Sequence, residues 1–431
     1  MSEASVAMPS EKPVVQRAWM AILLLLIIYT LNMLDRQILN ILADPISKEL
    51  SLSDTQIGVM TGLSFALFYT ALGIPLARLA DNQRADRVTL ISVCLAVWSG
   101  MTALCGMAQS FYQLLACRVG VAAGEAGCTP AAASLITDLV PSHQRARAMG
   151  ILGLGVPLGS LLGMLTGGLL SDAYGWRVAL LVVGVPGLII ALMFRFLIRD
   201  PRMHRLTTNA EVLPKVKLGE VLREITASRA FMWMLVGNCA TTFFGYGKAV
   251  WQIAYLIRSH GFTPGQVGMT LGVSVGILGM CGTWLGGWLG DRYGSKDPRH
   301  YLTASIVGGL ITVPVLIVGY TTKNPTVAVA MLAIPAFLTG LGFGPTFATI
   351  QGLVRPQSRA MAMSLKLLVQ ALVGLGLGPF LFGMLSDALK PVAGADSVAW
   401  VLLCGVPLML VGVFGDWRAS KHMKRELIYH T

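Results

Sequence analysis

The chain has 431 residues, of which 55% are hydrophobic types and 13% charged. A soluble domain carries about 25% charged residues, so this chain could not cover a water-facing surface and must take lipid as the solvent for much of its length. Its net charge of +12 would suit a nucleic-acid binder, but the basic residues are scattered between apolar runs and not gathered on one polar domain, which excludes nucleic acid as a partner and fits the basic loops of a membrane protein.

Residues 1–18 read as a polar cytoplasmic tail. The first apolar run, Trp19 to Leu34, leads into Asp35 and Arg36 without a small-residue cleavage site, so it reads as a retained helix and not a signal peptide. A spanning helix needs about 20 mostly apolar residues. That rule places spans near 19–41, 56–79, 88–108, 111–137, 149–171, 177–198, 231–256, 265–290, 301–320, 326–353, 361–386 and 397–416. The expected fold class is an all-α membrane protein with twelve transmembrane helices. They would form one six-helix bundle over 19–198 and another over 231–417, joined by a cytoplasmic linker at 199–230 and followed by a tail at 418–431. The 48 glycines suit close helix packing in lipid.

Of the 33 Lys and Arg residues, 24 fall in the tails and loops of one side, 5 on the other, and four inside helices. The skew predicts an integral membrane protein with both termini in the cytoplasm. The second half repeats the first. Residues 77–87 (ARLADNQRADR) correspond to 287–296 (GWLGDRYGSK). PSHQRARAM, a Gly-rich helix and LLSD correspond to PQSRAMAM, a Gly-rich helix and MLSD, and Pro141 to Asp172 spans the same 31 positions as Pro356 to Asp387. Repeated halves around a central cavity are a common transporter plan.

Charge at the bilayer centre costs about 2.5–3.5 kcal/mol on insertion scales. Six residues bear it: Asp35, Arg36, Arg118, Glu125, Lys248 and Lys366. They must face the bundle interior. Arg118 and Glu125 share one face of the fourth helix but lie about 10 Å apart along its axis, so each is free to take a partner on another helix. A cluster joining the first and fourth helices is expected, with Asn32 one turn below Asp35. Low dielectric disfavours a charged carboxylate and a nearby arginine favours it, so an arginine contact that changes during transport would switch proton affinity. The alternative is structural pairing that merely holds helices together. Lys248 shares a face with Phe244, Trp251 and Gln252, and Lys366 one with Gln370, which would give an amphipathic anion a charged head site and an aromatic wall. Either lysine could instead snorkel to the interface. The second half carries no comparable acid on this reading.

Other signals are bland. The seven cysteines form no CxxC and read as apolar fillers. The GxG strings lie in apolar helices with no strand before them, and there is no Walker motif. The six histidines show no ligand spacing. No metal and no cofactor are expected; the proton gradient would be the energy source.

Gly287-x-x-x-Asp291-Arg292-x-Gly294 resembles the cytoplasmic motif of the major facilitator superfamily, with a degraded first copy that keeps Asp81 but has Ala77, Asn82 and Arg84. Arg118 with Gly124-Glu125, and the glycine-proline fifth helix, are similar too. Asn32-Met-Leu-Asp35-Arg36, and the seventh helix from Thr242 to Trp251 and on to Arg258, resemble Spinster-type transporters, including their bacterial relatives. The resemblance covers Trp19 to Trp417. It implies the major facilitator fold and proton-coupled secondary active transport of an amphipathic anion, lysophospholipid or sphingolipid-like, by alternating access in a monomer. It implies proton coupling at Asp35, Glu125 and Arg118, and cargo binding at Arg36, Arg118, Lys248, Trp251, Phe244, Asn32 and Lys366. It also implies gating at Asp81, Asp291 and Arg292; the alternative for Asp81 and Asp291 is a simple cap or solvated charge. A small organic anion, sugar or drug as cargo keeps the same fold. A non-transporting receptor should carry a large signalling domain or extended tail, and an enzyme a nucleophile–base or metal constellation; neither is present in the sequence.

Overall fold

A computed structural model describes residues 11–82, 85–204, 218–294 and 297–427. Residues 1–10 and 428–431 of the two tails, linker residues 205–217, Arg84 and Lys296 lie outside the described residues. The described residues form twelve long helices: α1 Glu11–Leu50, α2 Asp54–Asp81, α3 Arg87–Cys105, α4 Phe111–Leu139, α5 142–174, α6 176–197, α7 Arg229–His260, α8 Pro264–Gly294, α9 Thr303–Thr321, α10 Pro325–Gly352, α11 359–393 and α12 397–426. Among the described residues there are no strands. Each expected span falls largely within one helix. The helices overrun the spans, most of all at the end of α1 and of α12, because hydropathy marks the lipid boundary and not the last hydrogen-bonded turn. Gly175, at φ 83°, turns the chain from α5 into α6.

Small residues set how closely the helices approach. A Cβ on Gly159 would sit 2.4 Å from the Thr30 carbonyl, and one on Gly163 would sit 2.8 Å from that of Leu34. No larger residue fits there, so α5 lies directly on the stretch of α1 that carries Asn32, Asp35 and Arg36.

Helices α1–α6 and α7–α12 make two halves. At the side that carries the chain ends (the terminal side), each half has its own core. Phe65, Leu95, Trp98 and Phe194 belong to the first, and Phe231, Met234, Ile350 and Met423 to the second. At the opposite, far side one apolar core runs through both halves and includes Leu42, Ile57, Trp251, Ile253 and Val398. Polar contacts cross between halves at the same far end. Arg258 of α7 donates from Nε to Asp44 at 2.7 Å and binds both oxygens of Asp54 at 2.9 Å. Asp387 at the end of α11 accepts the Asp54 and Thr55 backbone N–H groups and the Thr55 hydroxyl at 2.7–3.1 Å. Asp172 at the end of α5 accepts the Thr263 hydroxyl and the Gly265 N–H at 2.5 and 3.0 Å.

At the terminal side each half has polar networks of its own. Fully buried Arg87 holds Asp138 at 2.7 Å and also Asp200. In the second half Glu426 accepts the Ser228 hydroxyl and the Ala230 N–H at 2.8 and 2.9 Å. The linker helix Leu218–Ala227 buries Val221 and Ile225 and docks through Glu224, which accepts the Arg355 N–H and the Ser358 hydroxyl, each at 2.7 Å. Burial works against its charge, but these two bonds and the Arg355 guanidinium hold the Glu224 carboxyl below its usual range. A depressed carboxylate stabilises docking above the unfolded value of about 4.3 and loses that contribution as pH falls through the lower folded value. Glu224→Gln at neutral pH should loosen the linker helix by about 1–2 kcal/mol. Faster amide exchange confined to 218–227 is the expected readout, and unchanged exchange would show that the contact does not hold the helix.

Candidate functional site: a central cavity beside a buried charge cluster

The cluster is built where α1, α2, α3 and α4 meet. α4 reaches this position because Gly124 lies against α3, where a Cβ would come within 2.7 Å of the Trp98 nitrogen. The next residue, Glu125, is fully buried and accepts Arg36 Nε on Oε2 at 2.8 Å. The expected link between the first and fourth helices is therefore Arg36–Glu125. Arg36 also lies 5.0 Å from the Phe65 ring centre and 4.9 Å from that of Tyr69, and Arg118 lies 5.1 Å from Phe65. Two cations thus share one aromatic face of α2, an arrangement favourable for desolvated guanidinium groups. Asp35 turns toward α3, where Oδ2 accepts the Thr102 hydroxyl at 3.1 Å. Asp35 Oδ1, Glu125 Oε1, Arg118 Nε and both polar atoms of the Asn32 amide are buried without a hydrogen-bond partner among the described residues. Buried polar groups are nearly always paired, so these atoms set the cluster apart from the rest of the core.

Arg36 is 21% exposed and opens onto a central cavity of about 610 Å³. The cavity is lined by Tyr29, Met33 and Tyr69 from the first half. From the second it takes Phe244, Tyr246, Lys248, Phe343, Phe347, Lys366 and Gln370, along with smaller residues. A second chamber of about 310 Å³ adjoins it and reaches Gln37, Asn40, Phe65, Arg118 and Ser160. Pockets of roughly 300–1,000 Å³ hold drug-sized ligands. Lys366 does not snorkel. It is 3% exposed, with its amino group 4.4 Å from the Phe347 ring centre.

The other expected residues fall elsewhere. Trp251 does not line either chamber: its indole N–H donates to the Pro379 carbonyl at 2.9 Å in the far-side core. Asn32 is buried and also absent from both walls. Helical periodicity put Trp251 on the Lys248 face, but one turn along α7 the α11 backbone closes over it. Asp81 and Asp291 are exposed at the terminal ends of α2 and α8, and Arg292 lies 5.4 Å from the Trp288 ring centre.

The sequence reading missed one acid. Asp416 of α12 lines the main cavity and is 7% exposed, so the second half does hold an acid comparable to those of the first. It closed the last expected span and so read as a boundary residue; the apolar positions on both sides of it, Phe414 and Trp417, were the available signal.

Comparison with known proteins agrees with this architecture. The Major Facilitator Superfamily model matches residues 25–379. An MFS-type efflux pump of Mycolicibacterium smegmatis is 34% identical, covering 96% of this chain and 95% of that protein. Protein spinster homolog 3 of Danio rerio is 26% identical over 93% of this chain and 84% of its own length. The crystal structure of a bacterial homologue of the human lysosomal transporter Spinster, inward-facing and unoccupied, superposes with a TM-score of 0.85 at 31% identity, covering 96% of this chain and 99% of that one. The chain belongs to the major facilitator superfamily and is a transporter related to its Spinster members.

Proposed function

We propose that this protein is a proton-coupled transporter of an amphipathic anion, working by alternating access in the cytoplasmic membrane of a bacterium. The observation that carries the reading is the cavity wall. Three cations, Arg36, Lys248 and Lys366, stand among Tyr29, Phe244, Phe343 and Phe347. Cations desolvated on aromatic walls suit a ligand with an anionic head and an apolar body. The excess of Lys and Arg on the terminal side supports placing both termini in the cytoplasm, which makes the closed far side external and the state described here inward-facing. The energy source on this reading is the proton gradient, with Glu125, Asp35 and Arg118 as the coupling group.

The test is uptake into proteoliposomes under an imposed pH gradient, across lysolipids, sphingosine phosphate and small organic anions. Lys248→Gln should weaken binding of an anionic amphiphile about tenfold, the size of one lost charge-assisted contact, and spare a neutral analogue with the same tail. Equal weakening of both would make Lys248 structural. A second reading, export of a drug-like molecule, is favoured by the 34% identity to the efflux pump. Transport that does not depend on tail length or on anionic charge would select it.

A further inference from the structure

Asp416 is the one carboxylate among the named cavity-lining residues, and neither the coupling cluster nor the cationic wall accounts for it. Its Oδ2 accepts the Ser305 hydroxyl of α9 at 2.5 Å. Lys366 of α11 lines the same cavity. Among the described residues they are nevertheless not joined as an ion pair: the carboxylate is turned to Ser305 and the ammonium to the Phe347 ring. A buried pair of opposite charges gains most from direct contact. Here each charge is held by a separate neighbour, and both residues line the cavity.

Depth separates this corner from the other cations. Gly237 of α7 packs against Gly412 and Gly415 of α12, at 3.1 and 3.3 Å from a Cβ placed on it, so Asp416 is level with the first turns of α7. Lys248 is about 16 Å further along α7 at 1.5 Å per residue. A head group with its charges on neighbouring groups cannot bridge that distance.

We propose that Ser305, Asp416 and Lys366 form a separate, mouth-side subsite for a zwitterionic head group, Asp416 taking a protonated amine and Lys366 the adjoining anionic group. The inference rests on the reading that an amphipathic anion uses this cavity, and adds a cation to its head. Phe343 and Phe347 give the start of its apolar chain a wall beside Lys366. The cargo would meet this corner before it reaches Lys248 and Arg36.

The probes are hexadecylphosphoethanolamine and its N-acetyl derivative, which share tail and phosphodiester and differ in the ammonium group. Binding to the full chain in nanodiscs should favour the free amine by about tenfold, one charge-assisted hydrogen bond. Asp416→Asn should abolish that preference and leave affinity for the N-acetyl compound unchanged; Lys366→Gln should weaken both. The wild-type comparison needs no variant, so a misfolded Asp416→Asn protein does not blunt the test. Equal wild-type affinity for the two probes would overturn the zwitterion subsite and leave the anion reading standing. Binding of neither would overturn both.

Discussion

Glu125→Gln is expected to abolish uptake driven by a pH gradient, down to the level of protein-free liposomes, while leaving exchange of cargo across the membrane without a gradient. The argument runs through Arg36. This side chain holds Glu125 at 2.8 Å and is also the member of the cluster that opens onto the cavity. An anionic cargo that engages Arg36 competes with Glu125 for it. Leaving a buried carboxylate without its counter-charge costs several kcal/mol, and taking up a proton removes that cost. Cargo and proton thereby bind together. Gln keeps the shape and an acceptor for Arg36 but cannot change charge, so the exchange is lost and Arg36 stays available. Asp35→Asn should act in the same direction, because Asp35 Oδ1 also lacks a partner among the described residues. Thr102 can still donate to the Asn oxygen. Undiminished gradient-driven uptake in both variants would remove them from the coupling role. The pair Arg36→Lys and Glu125→Gln separates geometry from charge: lysine cannot reproduce the fork of Arg36 toward both the carboxylate and an anion, so Arg36→Lys should also weaken exchange.

Much of this is legible in the sequence alone. Expensive intramembrane charges had to face inward, and Arg36, Glu125, Lys248 and Lys366 do so for that reason. The glycine runs of α5 announced a close approach, and it is made against α1. What pattern reading could not supply was the identity of the neighbour across a helix interface. Asp35 and Arg36 differ by one position, yet one turns to α3 and the other to α4 and the cavity. Trp251 has the right periodicity for the cavity, but the α11 backbone lies over it. Asp416 stood at the edge of a hydropathy window, and hydropathy does not see that α12 continues to Glu426.

The largest conformational effect is expected from the two acids that end the repeated segments. LLSD and MLSD mark corresponding places in the two repeated halves, and the structure gives both aspartates the same task. Asp172 binds the start of α8 and Asp387 the start of α2, each across the boundary between halves. Both target helices begin with the same capping box, Ser53 with Gln56 and Thr263 with Gln266. In each, the carboxylate reaches the N–H of the second helical residue, Thr55 or Gly265. Helix N-termini carry unpaired N–H groups and partial positive charge, so an aspartate is well matched to them. π-helical turns follow in both cases, Val59–Leu63 and Gly268–Gly272, a local widening often found at functional sites. An outward opening has to break both clasps, and Arg258 with them. Hydrogen bonds to charged groups contribute about 1.5–3 kcal/mol each, so Asp172→Asn or Asp387→Asn should shift the balance toward the far-side-open state by about tenfold or more. The sites share no partner, so the double variant should show nearly additive shifts. Spin labels at the far ends of α2 and α11, and of α5 and α8, should report longer distances while the terminal side closes. If neither distribution moves in the double variant, the clasps do not set the resting state, and the closed far side is held by its apolar core and Arg258.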